Sequence, residues 1–180
     1  MELAALLKEN REVILEKWFE QIIESYPEVT SRFLAKQKDR FQNPVGYAIT
    51  QSIGPIYDQV ASAMDTGQLL EALDGIIRIR SVQDFTPTQS VAFVFQLKSV
   101  IREVIDPQLR GAEKWKGLSG LEARIDRVAL LAFEKYTECR ENLHRARNSE
   151  IERRATELPG RVKAKPGISR QEEEPIDDDV

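Results

Sequence analysis

The sequence predicts an all-α fold. Apolar residues recur at spacings of three and four over most of the chain, which is the period of an amphipathic helix. Residues 86–105 carry the strongest signal, because Thr86 suits a helix cap, Pro87 suits the first helical position and Gln89 completes a capping box. The residues that follow are apolar on every side, so we expect a central core helix wrapped by its neighbours. We find no strand-like alternation of useful length.

The chain has 180 residues and a net charge of −4. This length favours one domain, and the charge gives no reason to expect nucleic-acid binding or attraction to an anionic membrane. Membrane insertion is not expected, because charged residues interrupt the apolar central helix before the ~20 residues that a span needs. The single cysteine excludes an internal disulfide, and the first ten residues do not resemble a signal peptide. A cytoplasmic protein is therefore expected.

The N-terminal part of the chain predicts two helices. Residues 2–25 carry an apolar stripe with Glu and Lys on the other face. Pro27 ends this first helix, because the residue before a proline avoids the helical conformation. Residues 29–36 predict a short helix, and a polar linker around one aromatic residue, Phe41, follows it.

The middle of the chain predicts two further helices before the central one. A helix is expected over residues 44–64, started by an asparagine cap and a proline. Gly54-Pro55 lies inside it, and a proline there removes a helix hydrogen bond, so we expect a kink or two short helices. Residues 69–79 predict the next helix, which ends at a tight polar corner.

The C-terminal part predicts one long helix and a tail. The central helix should stop near Ile105, and residues 106–120, with their prolines and glycines, should form a loop or a loop with one short turn. Residues 121–158 predict a helix over ~50 Å long, whose second half would project from a small domain. Residues 159–180 have almost nothing apolar to bury, so we expect a disordered charged tail after a domain of residues 1–158.

Two polar groups, each just before a helix, are candidates for a shared ligand-sensing or docking corner. The simpler interpretation is that they satisfy helix ends and loop carbonyls. The candidates are Asp39, Arg40, Asn43, Arg78, Arg80, Gln83 and Asp84. A second candidate is an apolar pocket between helices, which is where helical folds commonly hold ligands. Its expected lining is Trp18, Phe93 and Phe95.

No catalytic constellation, metal cluster or phosphate-binding loop is recognisable, so no enzyme activity and no cofactor are expected. His144, the only histidine, lies beside arginines and one position off the apolar stripe, which favours a solvated surface residue over a haem ligand. Cys139 lies on the stripe, which favours a small buried hydrophobe, with a reactive thiol as the alternative. Trp115 either folds back over its own domain or anchors a partner.

Two segments resemble a known family. Asp39-Arg40-Phe41-Gln42-Asn43-Pro44-Val45-Gly46 and Ile77-Arg78-Ile79-Arg80-Ser81-Val82-Gln83-Asp84-Phe85-Thr86-Pro87 are similar to the signature segments of the RsbRD-type amino-terminal domain. That family is named for co-antagonists of RsbT in the bacterial stressosome. The resemblance implies an all-helical, globin-like sensor module that binds no haem, typically dimerises and passes a signal through its last helix.

In the stressosome proteins a STAS output domain follows the sensor, whereas here the last helix runs into the tail. We therefore expect a non-enzymatic sensor or regulatory interaction module in signal transduction or stress response. It would form a homodimer through its long final helix and bind an unidentified protein partner. The alternatives are a helical protein that binds a lipid-like small molecule, and a thiol redox switch at Cys139.

Overall fold

The computed structural model describes residues 3–36, 39–62, 64–83, 85–108 and 113–163, with the side chains of residues 117–156 in the last range. Every regular element in these ranges is helical. The helices are α1 (Leu3–Glu9), α2 (Arg11–Glu24), α3 (Glu28–Lys36), α4 (Pro44–Ala61), α5 (Thr66–Val82), α6 (Pro87–Ile105) and α7 (Glu113–Lys163), with a 3₁₀ turn (Asp106–Gln108) after α6. The predicted all-α bundle with a long C-terminal helix is confirmed.

The chain divides into two compact units, Met1–Leu143 and His144–Val180, and α7 contributes to both. In the second unit Glu150 pairs with Arg153 at 2.8 Å and with Arg154 at 2.6 Å, on the next turn of the same helix. α7 is described as far as Lys163, which is beyond the predicted end at residue 158. The disordered tail stays a prediction, because residues 164–180 lie outside the described part of the chain.

The core of the first unit is centred on the contact between α2 and α6. The rings of Trp18 and Phe93 stack with their centroids 6.2 Å apart, and Trp18 Nε1 donates a hydrogen bond to the carbonyl oxygen of Phe93 at 2.7 Å. Both side chains are fully buried. α2 also packs against α4, and α4 packs against α5. α2 therefore connects the aromatic pair to the rest of the bundle.

The predicted start of the central helix is confirmed. Thr86 Oγ1 accepts from the backbone N–H of Gln89, and the Gln89 side chain accepts from the backbone N–H of Thr86, with Pro87 in the first turn. Burial of α6 is less complete than expected. Phe93 is fully buried, but Phe95 is 48% exposed. The expectation that neighbours wrap α6 on every side is therefore wrong on the side that carries Phe95.

The predicted first helix is two helices. α1 ends at Glu9 and α2 begins at Arg11, with Asn10 between them. The Asn10 side-chain amide donates to the carbonyl oxygen of Leu6 at 2.9 Å, the same carbonyl that its own backbone N–H reaches at 3.0 Å. Short polar side chains that compete for backbone groups in this way disturb a helix locally. The apolar stripe continues across the break, which is why the pattern did not reveal it.

Of the two alternatives expected at Gly54-Pro55, a kink or two short helices, the second is wrong, because α4 runs from Pro44 to Ala61 as one helix with Pro55 inside it. Ile53, Ile56 and Tyr57 around the proline are buried. Burial of large side chains is worth about 1.5–3 kcal/mol each, which offsets the ~3 kcal/mol that an interior proline costs.

The expected loop over residues 106–120 is wrong from Glu113 onward, where α7 begins. Gly117 and Gly120 lie inside the helix at a cost of about 1 kcal/mol each relative to alanine. Leu118 and Leu121 of the same turns are buried. Tertiary burial therefore extends the helix through glycines that would favour a loop in isolation.

The cap of α6 gives a first prediction. Thr86→Ala removes the side-chain acceptor for the Gln89 N–H and should lower the free energy of unfolding by about 1 kcal/mol. Thr30→Ala, at an exposed threonine of α3, should change it by less than about 0.5 kcal/mol. Urea titrations of the three proteins measure this, and equal losses in both variants would show that the cap contributes nothing specific.

A second prediction concerns Tyr57, whose hydroxyl donates to the carbonyl oxygen of Leu7 at 2.8 Å. Burial, assisted by Asp58 and opposed by Arg11, raises the pKa of the Tyr57 phenol above its ordinary value. The unfolded chain, with a tyrosine pKa of about 10, therefore loses this proton first. The free energy of unfolding should fall as pH rises above about 10, and it should fall less steeply in Tyr57→Phe. Urea titrations between pH 8 and pH 11 compare the two slopes, and identical slopes would contradict the assignment.

Candidate functional site

The structure places the predicted polar candidates at two different corners of the first unit. At the α3–α4 turn, Asp39 Oδ1 accepts from the backbone N–H groups of Phe41 and Gln42 at 2.8 and 3.0 Å. Asn43 Oδ1 accepts from the N–H of Gly46 at 2.8 Å and so caps α4. Arg40 lies over the Tyr47 ring, 5.4 Å from its centroid. Asp39 and Asn43 thus satisfy local backbone groups, as the simpler interpretation holds.

The second corner, where α5 ends and α6 begins, is built around Arg80. The Arg80 side chain is fully buried. Its guanidinium carbon lies 5.0–5.5 Å from the ring centroids of Tyr26, Phe85 and Phe93, which is within the range of a cation–π contact. A cation is therefore held among three aromatic rings inside the bundle, and we call this group of side chains the arginine corner.

The guanidinium also joins three helices by hydrogen bonds. Arg80 Nη1 donates to the carbonyl oxygen of Gln89 in the first turn of α6 at 2.8 Å. Arg80 Nη2 donates to Ser25 Oγ at 2.9 Å and to the carbonyl oxygen of Ile22 at 3.4 Å, both at the end of α2. One side chain of α5 is therefore bonded to both α2 and α6 and holds them together.

Electrostatics make the arginine corner a costly arrangement. Burial lowers the pKa of Arg80, with Tyr26 opposing, and burial raises the pKa of Tyr26, with Arg80 opposing. An arginine remains protonated even so, since its ordinary pKa is far above neutral pH. Arg80 Nε and the buried hydroxyl of Ser90 have no hydrogen-bond partner among the described residues. A buried, incompletely bonded cation is unusual enough to mark a functional candidate.

The remaining predicted members of this corner differ in exposure. The Arg78 side chain is 71% exposed and pairs with Asp74 at 3.1 Å, one turn earlier on α5. Gln83 Oε1 accepts from the Tyr26 hydroxyl at 3.3 Å, so it belongs to the arginine corner. Asp84 lies outside the described residues.

The sequence identified Arg80, Gln83 and Phe93 as candidates, but not the other members of the arginine corner. The missed members come from α2, from the turn before α6 and from α6 itself: Ile22, Ser25, Tyr26, Phe85 and Gln89. A signal for burial was present, because Arg80 falls on the same stripe of α5 as Leu69, Leu73, Ile76 and Ile77, all of them buried. A charged residue on an apolar stripe at helical spacing is the pattern that could have found it.

The three residues predicted to line one apolar pocket lie in two different places. Trp18 and Phe93 fill the interior by stacking on each other, whereas Phe95 lines a groove on the surface. The groove lies between α6 and α7 within the first unit and has a volume of about 520 Å³. It is lined by Pro87, Thr88, Val91, Ala92, Phe95, Asp126, Ala129, Leu130 and Phe133. We call it the apolar groove.

The lining of the apolar groove is regular. Residues 88, 91, 92 and 95 of α6 and residues 126, 129, 130 and 133 of α7 both follow the spacing i, i+3, i+4, i+7, so each helix presents one stripe. Leu130 is 71% exposed and Phe133 is 53% exposed. At one edge Lys98 pairs with Asp126 at 2.5 Å and lies over the Phe95 ring. The groove is thus an exposed apolar strip with a charged edge.

The other residues singled out from the sequence lie elsewhere. Cys139 has a free thiol, is partly buried and packs against the core cluster. His144 is exposed. The Trp115 side chain lies outside the described residues. In the described part of the chain no three His, Cys, Asp or Glu side chains are grouped as a metal ion would need, and no helix there is long and apolar enough to span a membrane.

The bundle, the arginine corner and the apolar groove together define an all-α domain with a packed interior and an exposed apolar strip. The chain belongs to the family described as the RsbT co-antagonist protein rsbRD N-terminal domain, whose family model matches residues 12–151. This match confirms the resemblance seen in the sequence and covers both the corner and the groove. The family is one of regulatory sensor domains related to the stressosome. No curated protein and no solved structure gives a significant match.

The arginine corner gives a third prediction. Arg80→Ala removes the hydrogen bonds that join α5 to α2 and α6 and opens space among three rings, so the free energy of unfolding should fall by about 3 kcal/mol or more. Arg78→Ala, which removes an arginine two residues away that is largely exposed, should change it by less than about 0.5 kcal/mol. Urea titrations measure both variants. A loss at Arg80 no larger than that at Arg78 would contradict the structural role assigned to the buried cation.

Proposed function

We propose that this chain is a non-enzymatic sensor or regulatory interaction module that works as a homodimer and binds a protein partner without haem. The membership of the family supports the regulatory class, and the family's name, which refers to a co-antagonist of RsbT, points to a partner in a stressosome-type assembly. The observation that carries the homodimer is the apolar groove. Its exposed rings and leucine need a covering surface, because contiguous exposed apolar patches mark interaction sites.

A second copy of the same chain fits the groove well. Two helices that each present an i, i+3, i+4, i+7 stripe form half of a four-helix bundle. A two-fold axis through the groove would bring the same two stripes from a second copy, so that Phe95, Leu130 and Phe133 meet their own counterparts. The Lys98–Asp126 pair would then lie at the rim, where charged groups are usual in interfaces.

The absence of haem is supported by the residues that would have to hold it. His144 is the only histidine of the chain, and it is exposed. The place where α2 and α6 meet is filled by the stacked rings of Trp18 and Phe93. A histidine-ligated porphyrin would need a ligand from outside the first unit and would have to displace that pair.

The fourth prediction tests the homodimer. Light scattering on the purified chain at high micromolar concentration should give twice the chain mass of 20.6 kDa. Phe133→Glu places a charge in the groove and should give the monomer mass, since a buried charge without a partner is costly. Val29→Glu is the matched control, because Val29 is exposed on α3 and does not line the groove.

The expected pattern is a dimer for the wild type and for Val29→Glu, with a folded monomer for Phe133→Glu. Circular dichroism establishes that each variant is helical. A wild-type monomer at these concentrations, or a Phe133→Glu variant that remains dimeric, would overturn the proposal that the groove is the self-association surface.

A lipid-like small molecule is a second candidate for the groove, since its volume of about 520 Å³ is typical of ligand pockets of ~300–1,000 Å³. A thermal-shift series with long-chain fatty acids separates the two functions, because a ligand that binds only the folded chain raises the melting temperature. A rise that is lost in Phe133→Glu, together with a wild-type monomer, would favour the small molecule. A wild-type dimer without any rise would favour the homodimer.

A further inference from the structure

α7 is tied to the ends of two other helices by two arginines. Arg140 Nη1 donates to the carbonyl oxygen of Ser81, in the last turn of α5, at 3.0 Å. Arg124 Nη1 donates to the carbonyl oxygen of Ser62, directly after α4, at 2.8 Å. Carbonyl groups at a helix C-terminus have no partner within their own helix and carry the negative end of its dipole, so a cation from another helix is well placed there.

The Arg140 contact falls next to the arginine corner. Ser81 follows Arg80 directly, its side chain is buried, and its hydroxyl donates back to the carbonyl oxygen of Arg78 at 2.8 Å. The last turn of α5 therefore takes part in two contacts. Its Arg80 side chain is bonded to α2 and α6, and its Ser81 carbonyl accepts a hydrogen bond from Arg140 of α7. Any shift of this turn that alters the Arg80 bonds also moves the carbonyl to which Arg140 is bonded.

The position of Arg140 along α7 adds to this argument. Among the described residues α5 and α7 are also joined by the ion pair of Asp74 with Lys135 at 3.1 Å, more than one turn earlier on α7. Arg140 is thus bonded to α5 near the end of the first unit, which closes at Leu143. A change in this bond would therefore affect the last turn of α7 in the first unit.

We propose that the Arg140–Ser81 bond couples the arginine corner to the end of α7 in the first unit, so that loosening of the Arg80 bonds loosens residues 136–143. The coupled element is the last turn of α5, which both arginines hold. None of the residues that make these bonds lines the apolar groove, so the coupling can be tested apart from self-association. It assigns to the buried cation a role in relaying its state to α7, beyond its contribution to stability.

The fifth prediction tests this coupling by hydrogen exchange on the full chain. Ser25→Ala removes one acceptor of Arg80 while retaining the charge and the rings, so it loosens the corner mildly. In the wild-type background it should speed amide exchange of residues 136–143 by about 2- to 10-fold relative to residues 121–128 of the same helix, as expected for the loss of one hydrogen bond.

The decisive test compares the effect of Ser25→Ala in two arginine variants, Arg140→Gln and Arg124→Gln. In Arg140→Gln, Ser25→Ala should change this exchange ratio by less than about twofold, because the link to α7 has already been removed. In Arg124→Gln, which removes the matching arginine from the other helix end, Ser25→Ala should have its full wild-type effect. Equal effects of Ser25→Ala in both arginine backgrounds, or no effect in the wild type, would overturn the proposed coupling. Because Ser25→Ala keeps Arg80 itself, the test does not depend on folding of an Arg80 variant.

Discussion

The burial of one guanidinium constrains how three helices of the first unit pack together. A cation inside a bundle is tolerated only if aromatic faces and carbonyl oxygens replace the water that it has lost. Arg80 obtains the faces from Tyr26, Phe85 and Phe93 and the oxygens from the ends of α2 and α6. The contacts of this one side chain therefore constrain how α2, α5 and α6 pack together.

Local features of the fold were predictable because their causes lie within a few residues. The capping box at Thr86 and Gln89 depends on backbone groups three residues apart, and the structure contains it as predicted. The errors have non-local causes. α4 continues through Pro55, and α7 includes Gly117 and Gly120, because neighbouring helices bury the adjacent side chains. Propensity alone does not report how much burial a residue will gain from the rest of the chain.

The candidate sites show the same difference between local features, which were predictable, and non-local features, which were not. Periodicity places Phe93 and Phe95 about 200° apart around α6, so both could not face one pocket, and the structure puts Phe93 inside and Phe95 on the surface. Which of the two faces the core depends on where α2 and α7 pack, and one helix does not encode that. Likewise the sequence shows Arg80 on an apolar stripe, but its rings and acceptors come from segments up to 58 residues away in sequence.

Both candidate sites include residues of α6. Its first turn supplies the Gln89 carbonyl to Arg80, its interior side supplies Phe93 to the aromatic core, and its outer side supplies Phe95 to the groove. A rigid helix cannot shift one side without the other, since its side chains share one backbone. If a second copy covers the groove as proposed, it contacts the same helix that holds the buried cation in place. Phe95, two residues from a fully buried ring, would then connect that contact to packing in the interior.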